Sequence, residues 1–257
     1  MPSYKVVTNK VDIMYLYDGS YAGLLTSIHE SVYAKEMPVS ILSKEPEQLT
    51  LYGTKSIKTD EKKALAVKES IEKNISKQVA TLTYHIFLCH HVDKEIKLLR
   101  FLIKAYEVGA KIVDMTGDAV VADVLAMQQH MLGERHLLSG FIRFKDYGNI
   151  LGAVISPKNF VLPLLANHFI DRFPSENFMI YDNVHKAILV YQDKKLEITA
   201  VEEIEFAQES ETELYYQELW KSFYDTIGIK ERLNPKCRMR NMPKRYWANM
   251  VEMEGKK

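Results

Sequence analysis

The sequence predicts an α+β fold, and three observations lead to it. Before Gly140, apolar residues recur mostly at steps of three and four, the mark of helices with one buried face. After Gly140 the texture changes to short strand-like runs separated by Tyr-Gly-Asn, Asn183 and Asp193-Lys194 turns, as in antiparallel pairs. A strongly capped helix then leads into a basic segment that two prolines interrupt. The expected architecture is therefore helices packed with short antiparallel strands, with a helical C-terminal segment ending in a basic loop. We expect residues 1–205 to form the α+β core, with a possible subdivision near 138. Residues 206–257 should supply a C-terminal helix and a basic, aromatic segment packed on that core.

In chain order, DIMYLYDG (12–19) reads as a buried strand stopped by Asp-Gly. The stripe Tyr21, Leu24, Leu25, Ile28, Val32 and Tyr33 predicts a helix, capped by Ser20 or Asp18 and ended by Pro38. VSILSK and LTLYGTKSIKT (49–59) read as short strands. Thr59 and Asp60 open a helix whose buried face holds Ala64, Val67, Ile71 and Ile75. Helical segments follow over 79–90 and 94–108, the second ended by Gly109. Another runs from Asp118 to Met131. FIRFKDYGNILGAVISP (141–157) predicts two strands around Tyr-Gly-Asn. SPKNFVLPLLANHFIDRFP (156–174) predicts a helix capped by Ser156, with Pro157 at its first position and a kink at Pro163. Three strands are expected over 177–201. Ser210 and Glu213 form a capping box, ahead of the stripe Tyr215/Tyr216, Leu219/Trp220, Phe223/Tyr224 and Ile227, which Gly228 stops. Pro235 and Pro243 break the basic segment, and a short helix is expected from Pro243 to Glu252.

The totals describe an ordinary globular chain: 257 residues, 47% apolar and 26% charged, with no formal net charge. Two cysteines, Cys89 and Cys237, are too few for a disulfide framework. No run approaches the roughly 18 apolar residues of a membrane span, and the N-terminal stretch carries Asp12 where a signal peptide would be most apolar. These features predict a cytoplasmic protein without a membrane partner.

Catalytic patterns are missing. Cys89, His90 and His91 are adjacent on a helix, where successive side chains diverge by about 100°, so no metal site is expected and no cofactor with it. Asp93, Glu95 and Lys97 have the spacing of a nuclease cluster, but a solvated helix face is the reading that fits their helical setting. Asp118 reads as a helix cap, with Asp114 and Asp123 as surface carboxylates. The phosphate-loop and nucleophile-elbow patterns are absent. Cys237 lies between Lys236 and Arg238, a setting that favours the thiolate. His168 and Arg172 lie one helical turn apart, and with Asp182 they could line a polar pocket; a surface ion pair and a capped strand end is the plainer alternative.

The charge is unevenly placed. Between 228 and 248 seven basic residues face one acid, Glu231, and the preceding run 201–219 holds seven glutamates and no base. Either the two blocks neutralise each other or the basic block meets an anion. On nucleic acid, Arg232, Lys236, Arg238, Arg240, Lys244 and Arg245 would meet phosphates. Tyr246 and Trp247 would stack on bases or pack inward, and packing is the reading we favour for Trp247.

YDGSYAGLLTSIHESVY (17–33) and ETELYYQELWKSFYDTIGIKERLNPKCRMRNMPKRYW (211–247) resemble a bacterial family of DNA-metabolism proteins. Its members are encoded beside a radical SAM protein of DNA modification or repair, and its longer members are fused to a uracil-DNA-glycosylase-like domain. The matching positions are Tyr17, Asp18 and Gly19; Tyr216, Gln217, Trp220 and Lys221; Glu231, Arg232, Asn234 and Pro235; and Met242, Pro243, Arg245, Tyr246 and Trp247. Where this chain has Arg238 the family often has glutamine. The resemblance implies an accessory protein in DNA modification or repair. It would bind DNA, or a radical SAM or glycosylase-type partner, through the basic C-terminal segment. Two alternatives stay open: an interaction module without DNA contact, and a DNA-processing enzyme of unrecognised type using His168, Arg172 and Asp182.

Overall fold

The computed structural model describes residues 9–45, 51–232 and 234–255. The start of the strand expected over 49–59, the side chain of Lys230 and the last two residues of the tail lie outside the described residues. The chain is α+β and divides into two compact units, Met1–Met131 and Leu132–Lys257.

In the first unit, β1 (Asn9–Lys10) and β2 (Ile13–Leu16) precede α1 (Tyr21–Ala34), followed by β3 (Glu36–Met37), β4 (Ser40–Leu42) and β5 (Gly53–Ser56). The β2 strand lies between β4 and β5, and both pairings are parallel, as is β1 with β3. These strands pair in parallel, whereas the antiparallel pairing expected of the sequence is found in the second unit. The cause is α1: a 14-residue helix carries the chain back past β2, so β4 must run in the same direction. Gly19 makes the strand-to-helix turn with φ +81°, a value other residues seldom adopt. Ser20 caps α1 by accepting the Gly23 N–H at 2.9 Å, and the Asp18 carboxylate accepts from the Ser20 and Thr59 hydroxyls.

Helices α2 (Glu61–Asn74), α3 (Lys77–Leu88) and α4 (Lys94–Val108) follow. Each hides an apolar face, with Ile71, Leu82, Ile86, Leu98 and Phe101 among the most deeply buried side chains. Cys89 is buried after α3, where burial pushes its thiol up to about 11. Glu95 departs from the solvated face expected of it. It is buried on α4, accepts the Tyr17 hydroxyl at 3.1 Å, and has its pKa raised first by desolvation.

Helix α5 (Ala119–Phe141) is capped by Asp118, which accepts the Val120 and Val121 N–H groups. It runs ten residues beyond the expected end at Met131, through Gly133 and Gly140. Each glycine costs the helix roughly 1 kcal/mol relative to alanine. Burial of Met131 and Leu138, with the donors that converge on Glu134, offsets that cost.

The second unit contains β6 (Lys145–Asp146), β7 (Leu151–Ile155), α6 (Leu162–Arg172), β8 (Phe178–Asp182), β9 (Ala187–Gln192) and β10 (Lys195–Ala200). They form one sheet in the order β10-β9-β8-β7-β6, antiparallel except for β7 with β8, which α6 connects. The helix begins at Leu162, later than expected, so Pro163 falls in the first turn instead of kinking the middle. Residues 156–161 precede the helix, and the Lys158 and Asn159 N–H groups there donate to Glu134. Phe144, Phe169, Phe173 and Phe178 make an edge-to-face cluster under α6. The chain then forms α7 (Glu211–Thr226) and α8 (Pro235–Asn241), and ends in 3-10 turns over Lys244–Asn249 and Val251–Met253. The basic segment is therefore a broken helix, with Pro235 opening α8 and the short helix expected from Pro243 to Glu252 present as 3-10 turns.

Candidate nucleic-acid interface

The C-terminal segment is held by two buried carboxylates. Glu134 of α5 is 3% exposed. It accepts the Lys158 and Asn159 backbone N–H groups at 3.0 and 2.8 Å, and the Asn159 amide at 2.6 Å. The Tyr246 hydroxyl reaches it at 3.0 Å and the Arg245 guanidinium at 2.9 Å. Burial alone would raise the pKa of Glu134. The converging donors outweigh that, so the carboxyl sits below its ordinary value and stays ionised. Glu252 repeats the device. It is buried and receives the Arg143 guanidinium, with Nη2 at 2.5 Å. Its pKa is pushed up by burial and pulled down further by Arg143.

These anchors sort the residues expected to bind. Tyr246 is 2% exposed and Trp247 9% exposed. The Trp247 indole N–H donates to the Met242 carbonyl at 3.0 Å. Burial of both rings leaves packing, the reading favoured for Trp247 from the sequence, as the role of this pair, with stacking of Tyr246 on a base set aside. Arg245 is likewise drawn inward by Glu134 and by the Tyr246 ring beneath it, 4.7 Å away.

The other cations differ. Arg232, Lys236 and Arg240 are exposed, and among the described residues none meets a carboxylate within 4.0 Å. Arg238 is half-buried and lies 5.1 Å from the Trp247 ring centre, with the Lys244 ammonium 5.5 Å from the same ring. No described glutamate of the 201–219 run pairs with a cation of the basic segment. Glu209 instead pairs with Lys145, and Glu213 accepts the Asp146 N–H at 3.0 Å. The capping box is consequently half made: Ser210 accepts the Glu213 N–H, while the Glu213 carboxylate turns to β6.

Helix α7 has no buried residue. Tyr215, Tyr216, Leu219, Trp220 and Phe223 are all exposed along it, Tyr216 by 62%. Two clefts open beside it in the second unit. The larger, about 710 Å³, is lined by Lys145, Tyr147, Gly152, Phe206, Lys244 and Trp247. The smaller, about 410 Å³, is lined by Phe144, Arg172, Phe173, Tyr216 and Trp220. They share Arg143, Gln217 and Val251, and so form one trough.

His168, Arg172 and Asp182 do not assemble. His168 and Arg172 are exposed on α6, with Arg172 over the Phe173 ring. Asp182 is fully buried at the end of β8, where it binds the His185 ring at 2.7 Å and the Val184 and His185 N–H groups. Its role there is to close the β8–β9 turn. Sequence reading missed Glu134, Arg143 and Glu252. Their charged partners lie 109–111 residues away along the chain, and no local pattern marks them.

No curated protein and no solved structure matches the chain. No helix among the described residues is long and apolar enough to cross a membrane. Residues 92–252 match a family described as a domain of unknown function, DUF4130, and that region contains both carboxylate anchors, the basic segment and most of the trough lining. With well over half of its length inside the match, the chain belongs to the DUF4130 family.

Proposed function

We propose that this protein is a DNA-binding accessory component of DNA modification or repair, acting beside a radical SAM or glycosylase-type enzyme in the cytoplasm. The observation that carries the DNA contact is the state of Arg232, Lys236 and Arg240. They are exposed, close in sequence and unneutralised by any described carboxylate. Such cations gain by displacing condensed counterions from phosphate. The association with a radical SAM partner rests on the resemblance of the two terminal stretches.

The test is binding of single- and double-stranded DNA as a function of salt. Reversal of all three (Arg232→Glu, Lys236→Glu, Arg240→Glu) is expected to reduce the salt slope by about three units, near one per lost phosphate contact. An unchanged slope in the folded variant would overturn the proposal.

A second reading, docking of a protein partner without DNA contact, is favoured by one observation, the exposed aromatic stripe of α7. It predicts that the chain co-purifies with the partner enzyme and retains no DNA when alone. Substitution of Tyr215 and Phe223 by serine should then abolish co-purification.

A further inference from the structure

The trough beside α7 has a lining that phosphate contact alone does not call for. Each cleft lies in the range of about 300–1,000 Å³ usual for small-ligand sites, and each is walled by rings. In the larger, Tyr147 and Phe206 stack at 5.2 Å between centres, inclined by 28°. They close over Gly152, where an added methyl would come within 2.7 Å of both rings. In the smaller, Phe144, Phe173, Tyr216 and Trp220 all contribute to the lining.

The charges of the trough are also sorted. Arg143 and Lys145 are neutralised by Glu252 and Glu209. Its lining acids are engaged too, Glu213 by the Asp146 N–H and Gln217, and Glu254 by Lys221. Lys244 in the larger cleft and Arg172 in the smaller have no carboxylate partner among the described residues. Each lies over a ring instead. The result is a ring-lined trough in which Lys244 and Arg172 have no carboxylate partner among the described residues, while Glu213 is held by neutral donors.

We infer that this trough binds unpaired bases of a single-stranded nucleic acid, the rings stacking on the bases while Lys244 and Arg172 meet the adjoining phosphates. The inference rests on the phosphate-binding reading above and adds to it a preference for bases that are not paired. Base-paired strands keep their ring faces stacked on one another and have none to offer. An apolar peptide would leave the two cations unmatched.

Both tryptophans of the chain line the trough, Trp247 the larger cleft and Trp220 the smaller, so intrinsic fluorescence reports its occupancy. The full chain is titrated with a short oligothymidylate, with an abasic oligomer of equal length and charge, and with a duplex. The expected result is quenching by the oligothymidylate and binding about tenfold or more tighter than to the abasic oligomer, from stacking of one or more bases. Tyr216→Ala, a surface change that leaves folding intact, and separately Tyr147→Ala should each reduce that preference several-fold and leave abasic binding unchanged. Trp220→Phe leaves Trp247 as sole reporter and assigns the signal to the larger cleft.

Equal affinity for the oligothymidylate and the abasic oligomer overturns the base-binding inference and leaves phosphate binding standing. Failure of all three nucleic acids to bind overturns both. A fluorescence change that tracks protein concentration without nucleic acid, together with a dimer in sedimentation and no response to oligothymidylate, gives the trough to a second copy of the chain instead.

Discussion

The stretch from Arg232 to Arg240 and the stretch from Lys244 to Met253 are both basic and rich in large side chains, yet the fold treats them oppositely. Helix α8 buries none of its residues, and its cations at 236 and 240 face solvent. In the second stretch Tyr246, Trp247, Met250 and Met253 are buried, and Arg245 is tied to Glu134. The contrast teaches that a cationic run in a sequence is two quantities, charge and availability. Availability here is decided by where a buried carboxylate stands, and Glu134 stands beneath one half only. From Arg245 onward the second stretch works as an anchor, while Lys244 and the first stretch stay available.

The comparison can be broken most forcefully at the anchor. Glu134→Ala strips the shared acceptor from Lys158, Asn159, Tyr246 and Arg245, and should cost about 3–5 kcal/mol, the range for an orphaned partner of a buried pair. A lowered urea midpoint together with a red-shifted Trp247 emission would show it. Wild-type stability after the change would mean that the second stretch is held by apolar packing alone.

A smaller effect is expected from acid. Glu134 and Glu252 have folded-state pKa values lowered from an ordinary 4.5. Their contribution is therefore complete above that ordinary value and is lost as pH falls through the lowered ones. A stability curve against pH should fall below about pH 4.5, and Glu134→Gln should flatten part of that fall. A decline shared equally by the variant would place the acid sensitivity elsewhere.

The smallest effect sharpens the contrast from the other side. The triple reversal at Arg232, Lys236 and Arg240 should change unfolding free energy by no more than about 0.5 kcal/mol, as for exposed positions without partners. Nucleic-acid affinity would fall in the same protein. A large loss of stability instead would show that these cations serve the fold.

Much of the local structure was legible. Ser20, Asp60, Asp118 and Ser210 each cap the helix they were expected to cap, because a cap is a contact between near neighbours in the chain. The turns at 183 and at Asp193-Lys194 fall where polar residues interrupt apolar runs, with both residues of the latter at positive φ. Legibility failed where a distant partner overrode a local signal. Gly133 did not end α5, Glu213 left its capping box for β6, and Glu95 was drawn into the interior beside Tyr17.

By itself, then, the sequence determined the α+β class, most helix starts, the strand-and-turn run of the second unit, and the presence of a dense cationic end. Only the tertiary structure decided that the first unit's strands run parallel, that Tyr246 and Trp247 pack inward, and that Phe144, Tyr147, Phe173, Phe206, Tyr216 and Trp220 line one trough. The reason is range. Caps and turns are settled by bonds across a few residues, whereas burial and ion pairing depend on groups such as Glu134 and Arg245, which are far apart along the chain and meet only once it has folded.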